Sequence, residues 1–267
     1  MENAYMLSEM IKRKLKSRKL LLLSIIVICA IFYAHLSYAQ TKSDTPFVAP
    51  EPGSIILLST GVCGWLVRFA RKRFHEFKRF FDILVGSCGL VLAVPIIAFT
   101  GIIIKIVSPG PILFKQARVG LNKKVFDMYK VRTMKIDAEK NTGPVWAQED
   151  DPRLIKFGRI IRKLHLDELP QFFNVLRGEM SIVGPRPERP VFVKEFSRKL
   201  TDYSKRLNVK PGITGLAQVL HKYDETIADV KKKVKYDLLY IREMCLMVDI
   251  RILLRTIVVA VTGKGAR

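Results

Sequence analysis

Apolar residues are massed at the front of this chain and scattered behind it. The first run, Leu20 to Leu36, is interrupted only by Ser24 and His35, and its length is close to the shortest that spans a bilayer. The basic stretch 11-IKRKLKSRK-19 precedes it, and the small-x-small triplet Ser37-Tyr38-Ala39 follows. Residues 1–39 therefore read equally well as a cleavable signal peptide or as an uncleaved transmembrane anchor, and both keep the basic run in the cytoplasm. Residues 40–53, QTKSDTPFVAPEPG, are polar and proline-rich and read as a linker. A second apolar stretch, 54-SIILLSTGVCGWLVRFA-70, ends on Arg71-Lys72-Arg73. It reads as a short span with a cytoplasmic basic end, or alternatively as a buried core helix.

The third run, Ile83 to Val107, has 25 residues with Pro95 at its middle. Proline removes a helical hydrogen bond and bends the axis. The residues before it rise only ~18 Å, well short of the hydrocarbon core. Basic residues flank both ends: Arg71, Lys72, Arg73, Lys78 and Arg79 before, and Lys105, Lys115, Arg118, Lys123 and Lys124 after. Both ends are thus expected in the cytoplasm. A re-entrant helix broken at Pro95 fits this better than a through-span.

Beyond Ser108 the pattern becomes globular. Short apolar runs around Gly120-Leu121-Asn122 predict a hairpin within 112–134. Apolar positions 154, 157, 160, 161 and 164 predict a helix over 153–166, with Lys156, Arg159, Arg162 and Lys163 on its polar face. A charged helix follows around 225–243. The stretch 246-LMVDIRILLRTIVVAV-261 suits either the membrane interface or the core. The fold class that emerges is α+β: a mostly helical, membrane-associated catalytic domain with a re-entrant membrane helix and a small β element, preceded by one or two transmembrane segments.

Charge narrows the partners. The 46 Lys and Arg against 24 Asp and Glu give a formal net charge of +22, which calls for an anionic partner. With 49% apolar residues, much of them in the first 107, that partner is a membrane or a phosphorylated substrate; no base-reading motif supports a nucleic acid. Cys29, Cys63, Cys88 and Cys245 each sit in an apolar run and are expected as buried thiols. There are no repeats and no glycine-rich nucleotide fingerprint of the Walker or Rossmann type.

The candidate chemistry lies in 164-LHLDELPQFFNVLRGEMSIVGPRP-187, where Asp167 and Glu168 stand side by side. Pro170 is tolerated only in a helix's first turn, so a helix is expected from near Asp167 to Gly178. Its dipole would favour ionised carboxylates there. On spacing alone the pair is a pair of capping residues. Arg162 upstream, Arg186 between Pro185 and Pro187, and Gln116, Arg118 and Arg132 earlier shift the balance, because arginine forks match phosphate oxygens. Acids and arginines beside a re-entrant helix suit phosphoryl transfer at a membrane surface.

From about Phe77 to Arg267 the chain resembles the bacterial sugar transferases of the monotopic phosphoglycosyl transferase class. The blocks that carry the resemblance are 78-KRFFDILVG-86, 114-FKQARVGLNKK-124, 129-YKVRTMKIDAE-139, 166-LDELPQFFNVLRGEMSIVGPRP-187, 209-VKPGITGLAQV-219 and 235-KYDLLYIREMCLMVDIRILLRTI-257. The resemblance implies transfer of a phospho-sugar from a UDP-sugar to polyprenyl phosphate with release of UMP, initiating an exopolysaccharide or other surface glycan. It implies Asp167 as the nucleophile that forms a covalent phospho-sugar enzyme, and Glu168 as the Mg²⁺ ligand that assists the acceptor. Pro185-Arg186-Pro187 would help bind the nucleotide, with Arg118, Arg132 and Arg162 as further substrate contacts. The expected setting is the bacterial inner membrane with the site facing the cytoplasm; homo-oligomers or polysaccharide assembly partners stay open. The sequence departs from the family where Val94 precedes Pro95 in place of a serine, and where Leu220-His221-Lys222 replaces Asn-Gly-Arg. A non-catalytic scaffold on a decayed domain is the alternative.

The resemblance divides the chain into 1–39, a linker and apolar segment over 40–75, and a transferase domain over 76–267. Within 40–75, Pro50-Glu51-Pro52, the apolar stretch and Arg71 to Arg73 together resemble a PEP-CTERM sorting signal, although nearly 200 residues follow it.

Overall fold

The computed structural model describes residues 52–138, 143, 151–220 and 226–262. The signal-or-anchor segment, most of the linker, Pro50, Glu51, and the His221-Lys222 departure lie outside them. The chain forms two compact units, Met1–Arg73 and Phe74–Arg267. Of the first, the described part is helical from Pro52. Helix α1 (Pro52–Val107) opens the second with its residues from Phe74 onward. Phe74–Val107 is long and apolar enough to cross a membrane. Pro95 lies inside it.

Within the second unit, α1 is fastened near both ends. Arg79 donates to the carbonyls of Val175 and Leu176 at 2.7 and 2.8 Å. The buried Asp82 accepts from the Ser181 hydroxyl and the Ile182 N–H, both at 2.9 Å. Lys78 pairs with Asp249 at 2.6 Å and donates to the Val183 carbonyl. At the far end, Ile104 is fully buried among Val131, Ile155 and Ile161. Between these anchorages one side of the helix packs inward, with Ala93 only 2% exposed, while Val91 and Leu92 stay 72% and 70% exposed. Such a stretch loses its apolar contact with water only in lipid or against a partner. Cys88 is exposed on this helix and Cys245 is exposed before the last one, so neither is the buried thiol expected from its apolar run.

After α1 the chain turns at Ser108-Pro109-Gly110-Pro111 into an antiparallel hairpin, β1 (Leu113–Val119) and β2 (Val125–Val131), in register from Leu113↔Val131 to Val119↔Val125. Asn122 and Lys123 take positive φ values of 53° and 64° in the turn, as hairpin loops demand. The helix expected over 153–166 is shorter, α2 (Gly158–Lys163). Residues 151–155 are instead drawn into extended pairing: Lys135 N–H donates to Arg153 and Ile155 N–H to Thr133. Ile160 and Leu164 stay 49% and 56% exposed, so the expected apolar face is only partly buried.

Next come α3 (Gln171–Leu176), β3 (Ser181–Val183), α4 (Pro190–Lys199), β4 (Gly212–Thr214), α5 (Leu216–Leu220), α6 (Ile227–Glu243) and α7 (Leu246–Thr262). β3 and β4 form a second, parallel two-stranded sheet. The main core gathers Val119, Val193, Phe196, Tyr203, Leu207, Val230 and Val234 from the hairpin, α4, the turn at Tyr203–Asn208 and α6. Helix α6 begins on a capping box in which Thr226 and Asp229 exchange hydrogen bonds. Helix α7 divides its faces: Val248 and Ile252 are buried, while Met247, Leu254, Ile257 and Val258 are exposed. The core reading of that stretch therefore holds for one face, and the other face is apolar and exposed. The molecule is helix-rich with small sheets.

Candidate active site

The dyad does not open a helix. His165 adopts a left-handed φ of 54°, which ends α2 and starts a separate tight turn, Leu166–Glu168. Pro170, at φ −62°, then caps α3. The missing proline N–H falls where no intrahelical donor is needed. The two carboxylates thus sit on the turn between two short helices, and neighbouring side chains rather than a long helix's dipole set their charge.

Glu168 is gripped on both sides. Lys130 Nζ lies 2.9 Å from its Oε1, Arg186 Nη1 lies 3.2 Å from Oε2, and Arg186 Nη2 bonds Oε1. Burial pushes this carboxyl up, but the Arg186 guanidinium and Lys130 ammonium hold it well below the usual range. Asp167 has a different environment. It is 7% exposed, and Lys130 stands 3.7 Å from Oδ2. Burial is the larger influence and raises its pKa, against the pull of Lys130. One carboxylate is therefore fixed as an ion, while its neighbour is a more basic, partly shielded group.

The loop that carries Arg186 is held along its backbone. Gly212 N–H donates to the Pro185 carbonyl at 3.0 Å, Arg206 to that of Arg186 at 2.8 Å, and Arg118 to that of Pro187 at 2.9 Å. Arg206 is itself anchored by Asp237 and the Tyr203 hydroxyl. Glu188, next in sequence, pairs with Lys233 at 2.6 Å and Arg118 at 3.5 Å. Burial opposes ionisation there, but Lys233 and Arg118 hold the carboxyl down to about 2. Every carbonyl of Pro185-Arg186-Pro187 has a donor, so the Arg186 side chain is presented from a rigid support.

The remaining expected residues divide. Arg162 donates through Nε to Thr133 Oγ1 at 2.9 Å; burial lowers its pKa, and Asp167 is the carboxylate that most opposes this. It therefore belongs to the neighbourhood of the dyad. Arg118 lies behind the loop, where burial lowers it to about 10. Arg132 has its guanidinium on the carbonyls of Pro109 and Ser108, at 2.8 and 2.7 Å, and is 5% exposed. That placement makes it a brace for the elbow after α1. Pro95 lies in α1, away from these groups in sequence and in contacts.

Lys130 is the residue that sequence reasoning passed over. It sits on β2 between Tyr129 and Val131, and a single lysine in a strand reads as solvated decoration. Asn174 was also passed over. It is fully buried, accepts from Tyr129 N–H at 3.0 Å, and donates to the Asp127 carbonyl and to Glu179. It ties β2 to α3 and so sets the Lys130–dyad distance. A polar residue inside the apolar run Phe172 to Leu176 was the available signal.

Among the described residues no group of three or more His, Cys, Asp or Glu converges on a common point. The dyad does fit the hard oxygen donors that Mg²⁺ takes in small number beside substrate phosphates, since Glu168 is held ionised.

A family model described as bacterial sugar transferase matches residues 73–263. The chain is 44% identical over 190 residues to the UDP-N-acetylgalactosamine-undecaprenyl-phosphate N-acetylgalactosaminephosphotransferase of Aeromonas hydrophila, covering 71% of this chain and 45% of that protein. It is 39% identical over 191 residues to the UDP-glucose:undecaprenyl-phosphate glucose-1-phosphate transferase of Escherichia coli, covering 71% and 41%. A UDP-glucose:undecaprenyl-phosphate glucose-1-phosphate transferase of Caulobacter vibrioides is 38% identical over 193 residues, covering 71% of each chain. The chain thus spans less than half the length of the first two relatives.

Proposed function

The chain belongs to the bacterial sugar transferase family, and from that premise we propose that it transfers a sugar 1-phosphate from a UDP-sugar to polyprenyl phosphate, releasing UMP. The observation that carries this reading is the division of labour in the dyad: Glu168 is clamped as an ion by Arg186 and Lys130, while Asp167 beside it is buried and made more basic.

In the first step the Asp167 carboxylate attacks the β-phosphorus of the UDP-sugar. An O–P bond forms, the bond to the UMP phosphate breaks, and UMP leaves with the electron pair. In the second step an oxygen of polyprenyl phosphate attacks the same phosphorus and the Asp167–phosphorus bond breaks. Lys130 offsets the negative charge that returns to Asp167. Arg186 and Arg162 supply donors for phosphate oxygens. Mg²⁺, when held by Glu168, with Asp167 close by, would neutralise pyrophosphate charge. The covalent route means that a soluble donor and a lipid acceptor need not be bound at once.

The membrane seat follows from α1. Lys78, Arg79 and Asp82 near one end, and Ile104, Ser108 and Pro109 near the other, all meet the same globular unit. This fastening supports a helix that enters and leaves one leaflet, with Pro95 near its deepest point. The site then lies at the cytoplasmic face of the inner membrane, where the flanking basic residues belong. A decayed scaffold would have no need to keep a buried aspartate beside an ion-paired glutamate.

The decisive assay supplies the full chain in membranes with polyprenyl phosphate, Mg²⁺ and a panel of UDP-sugars, and follows UMP. The expected result is release with at least one sugar; no release with any would overturn the transferase in favour of the scaffold. In the same preparation, mass spectrometry should find a phospho-sugar adduct that Asp167→Asn abolishes. An adduct that survives that change removes Asp167 as nucleophile.

A further inference from the structure

Where α1 meets the C-terminal end of α3, two cations converge on a glycine. Gly178 follows α3 with a left-handed φ of 80°. A Cβ built there would stand 3.5 Å from Arg79 Nη2 and 3.6 Å from Lys210 Nζ. Glycine leaves that slot open, and both cationic heads line it.

Arg79 already caps α3, since two of its N–H groups meet the carbonyls of Val175 and Leu176. That bonding satisfies the end of the helix and removes its repulsion for an anion. Lys210 has no such task. Its half-buried ammonium makes no hydrogen bond or ion pair with any described residue. The facing carboxylate is Asp82, whose Oδ1 accepts from Ser181 and Ile182. Burial, then the like charge of Arg79, lowers the lysine's pKa against the smaller pull of Asp82, a residual cost of desolvation and like charge. An anion between them relieves it.

The surroundings say which anion. One turn on from Arg79 stands Ile83, flanked by Phe80 and Leu84, and these are 42%, 62% and 53% exposed. The slot therefore sits where an apolar helix surface gives way to charge, at headgroup depth. We propose that Arg79, Gly178 and Lys210 form a binding slot for the phosphate of an anionic phospholipid, whose acyl chains run along the exposed face of α1. The slot is separate from the acceptor's reaction at Asp167, and it depends only on α1 meeting the bilayer.

The test uses the full chain in vesicles of phosphatidylcholine with and without an equimolar share of phosphatidylglycerol. Native mass spectrometry counts the retained phospholipid, and a phosphatidylglycerol titration gives its affinity. Lys210→Gln should weaken that affinity about fivefold, and Lys210→Arg should restore it. Gly178→Asn, which tolerates left-handed backbone, should fill the slot and expel the lipid with both charges intact. UMP release in detergent should be unchanged in Lys210→Gln, so a failed transferase assay leaves this test standing. Two results overturn the proposal. One is phosphatidylglycerol affinity that neither Lys210→Gln nor Gly178→Asn lowers in protein that melts like wild type. The other is inorganic phosphate alone occupying the slot with no preference for the phospholipid.

Discussion

Lys130 touches both carboxylates and treats them unequally. With Glu168 it shares the work with Arg186; at Asp167 it is the leading force that opposes burial. Removing its charge should therefore raise the pKa of Asp167 further and leave Glu168 held by Arg186. The nucleophile must be deprotonated, so the acidic limb of kcat/KM is expected to move to higher pH in Lys130→Gln. Activity should recover as pH rises above the new limb. A pH–rate profile that only drops in height, with its acidic limb unmoved, would mean that Lys130 binds substrate without tuning Asp167. The two acids look alike in sequence. Their difference comes from a strand 38 residues earlier and a loop 18 residues later, which adjacency in the chain cannot report.

At the scale of elements, long periodic segments and the hairpin turn were legible, and the left-handed break before the dyad was not. Helices α6 and α7 follow from pattern because each buries one regular face, and the hairpin follows from its turn residues although most of β1 is exposed. The helix at 153–166 shrank because Thr133 and Lys135 recruit residues 153 and 155 into extended pairing, a long-range competition that overrides periodicity. The dyad's turn escaped for a similar reason: a left-handed His165 divides what reads as one helix. Asn174 is the part that joins two such elements. Its side chain meets Tyr129, Asp127 and Glu179 while fully buried. Asn174→Ala would leave buried backbone groups of β2 unpaired, at a cost of about 2–3 kcal/mol. A clearly lower thermal midpoint, with kcat falling more than the stability loss explains, is the expected outcome. An unchanged midpoint would show that β2 and α3 are held elsewhere.

For the whole molecule, the question is on which side of a bilayer the pieces lie. If both ends of α1 belong to one body, a cysteine placed at Asn122 in the hairpin turn shares its side with the dyad. In intact cells it should resist an impermeant reagent applied from the periplasm and react once the membrane is opened. Labelling in intact cells would require α1 to pass through. The basic balance and the apolar front of the chain made a membrane legible. The fastening at Arg79 and Asp82 did not show in the sequence, because its contacts join residues 96 and 100 positions apart.

The bond between Lys78 and Asp249 spans 171 residues, and the Tyr240 hydroxyl that also reaches Asp249 is nearly as late. During synthesis the apolar helix emerges long before the carboxylate that neutralises its foot exists. Lys78 must wait, charged and without Asp249, until α7 leaves the ribosome. Until then the helix has its grease but not its latch. The bond that fixes the foot of the helix therefore forms late, once Leu246–Thr262 has been made.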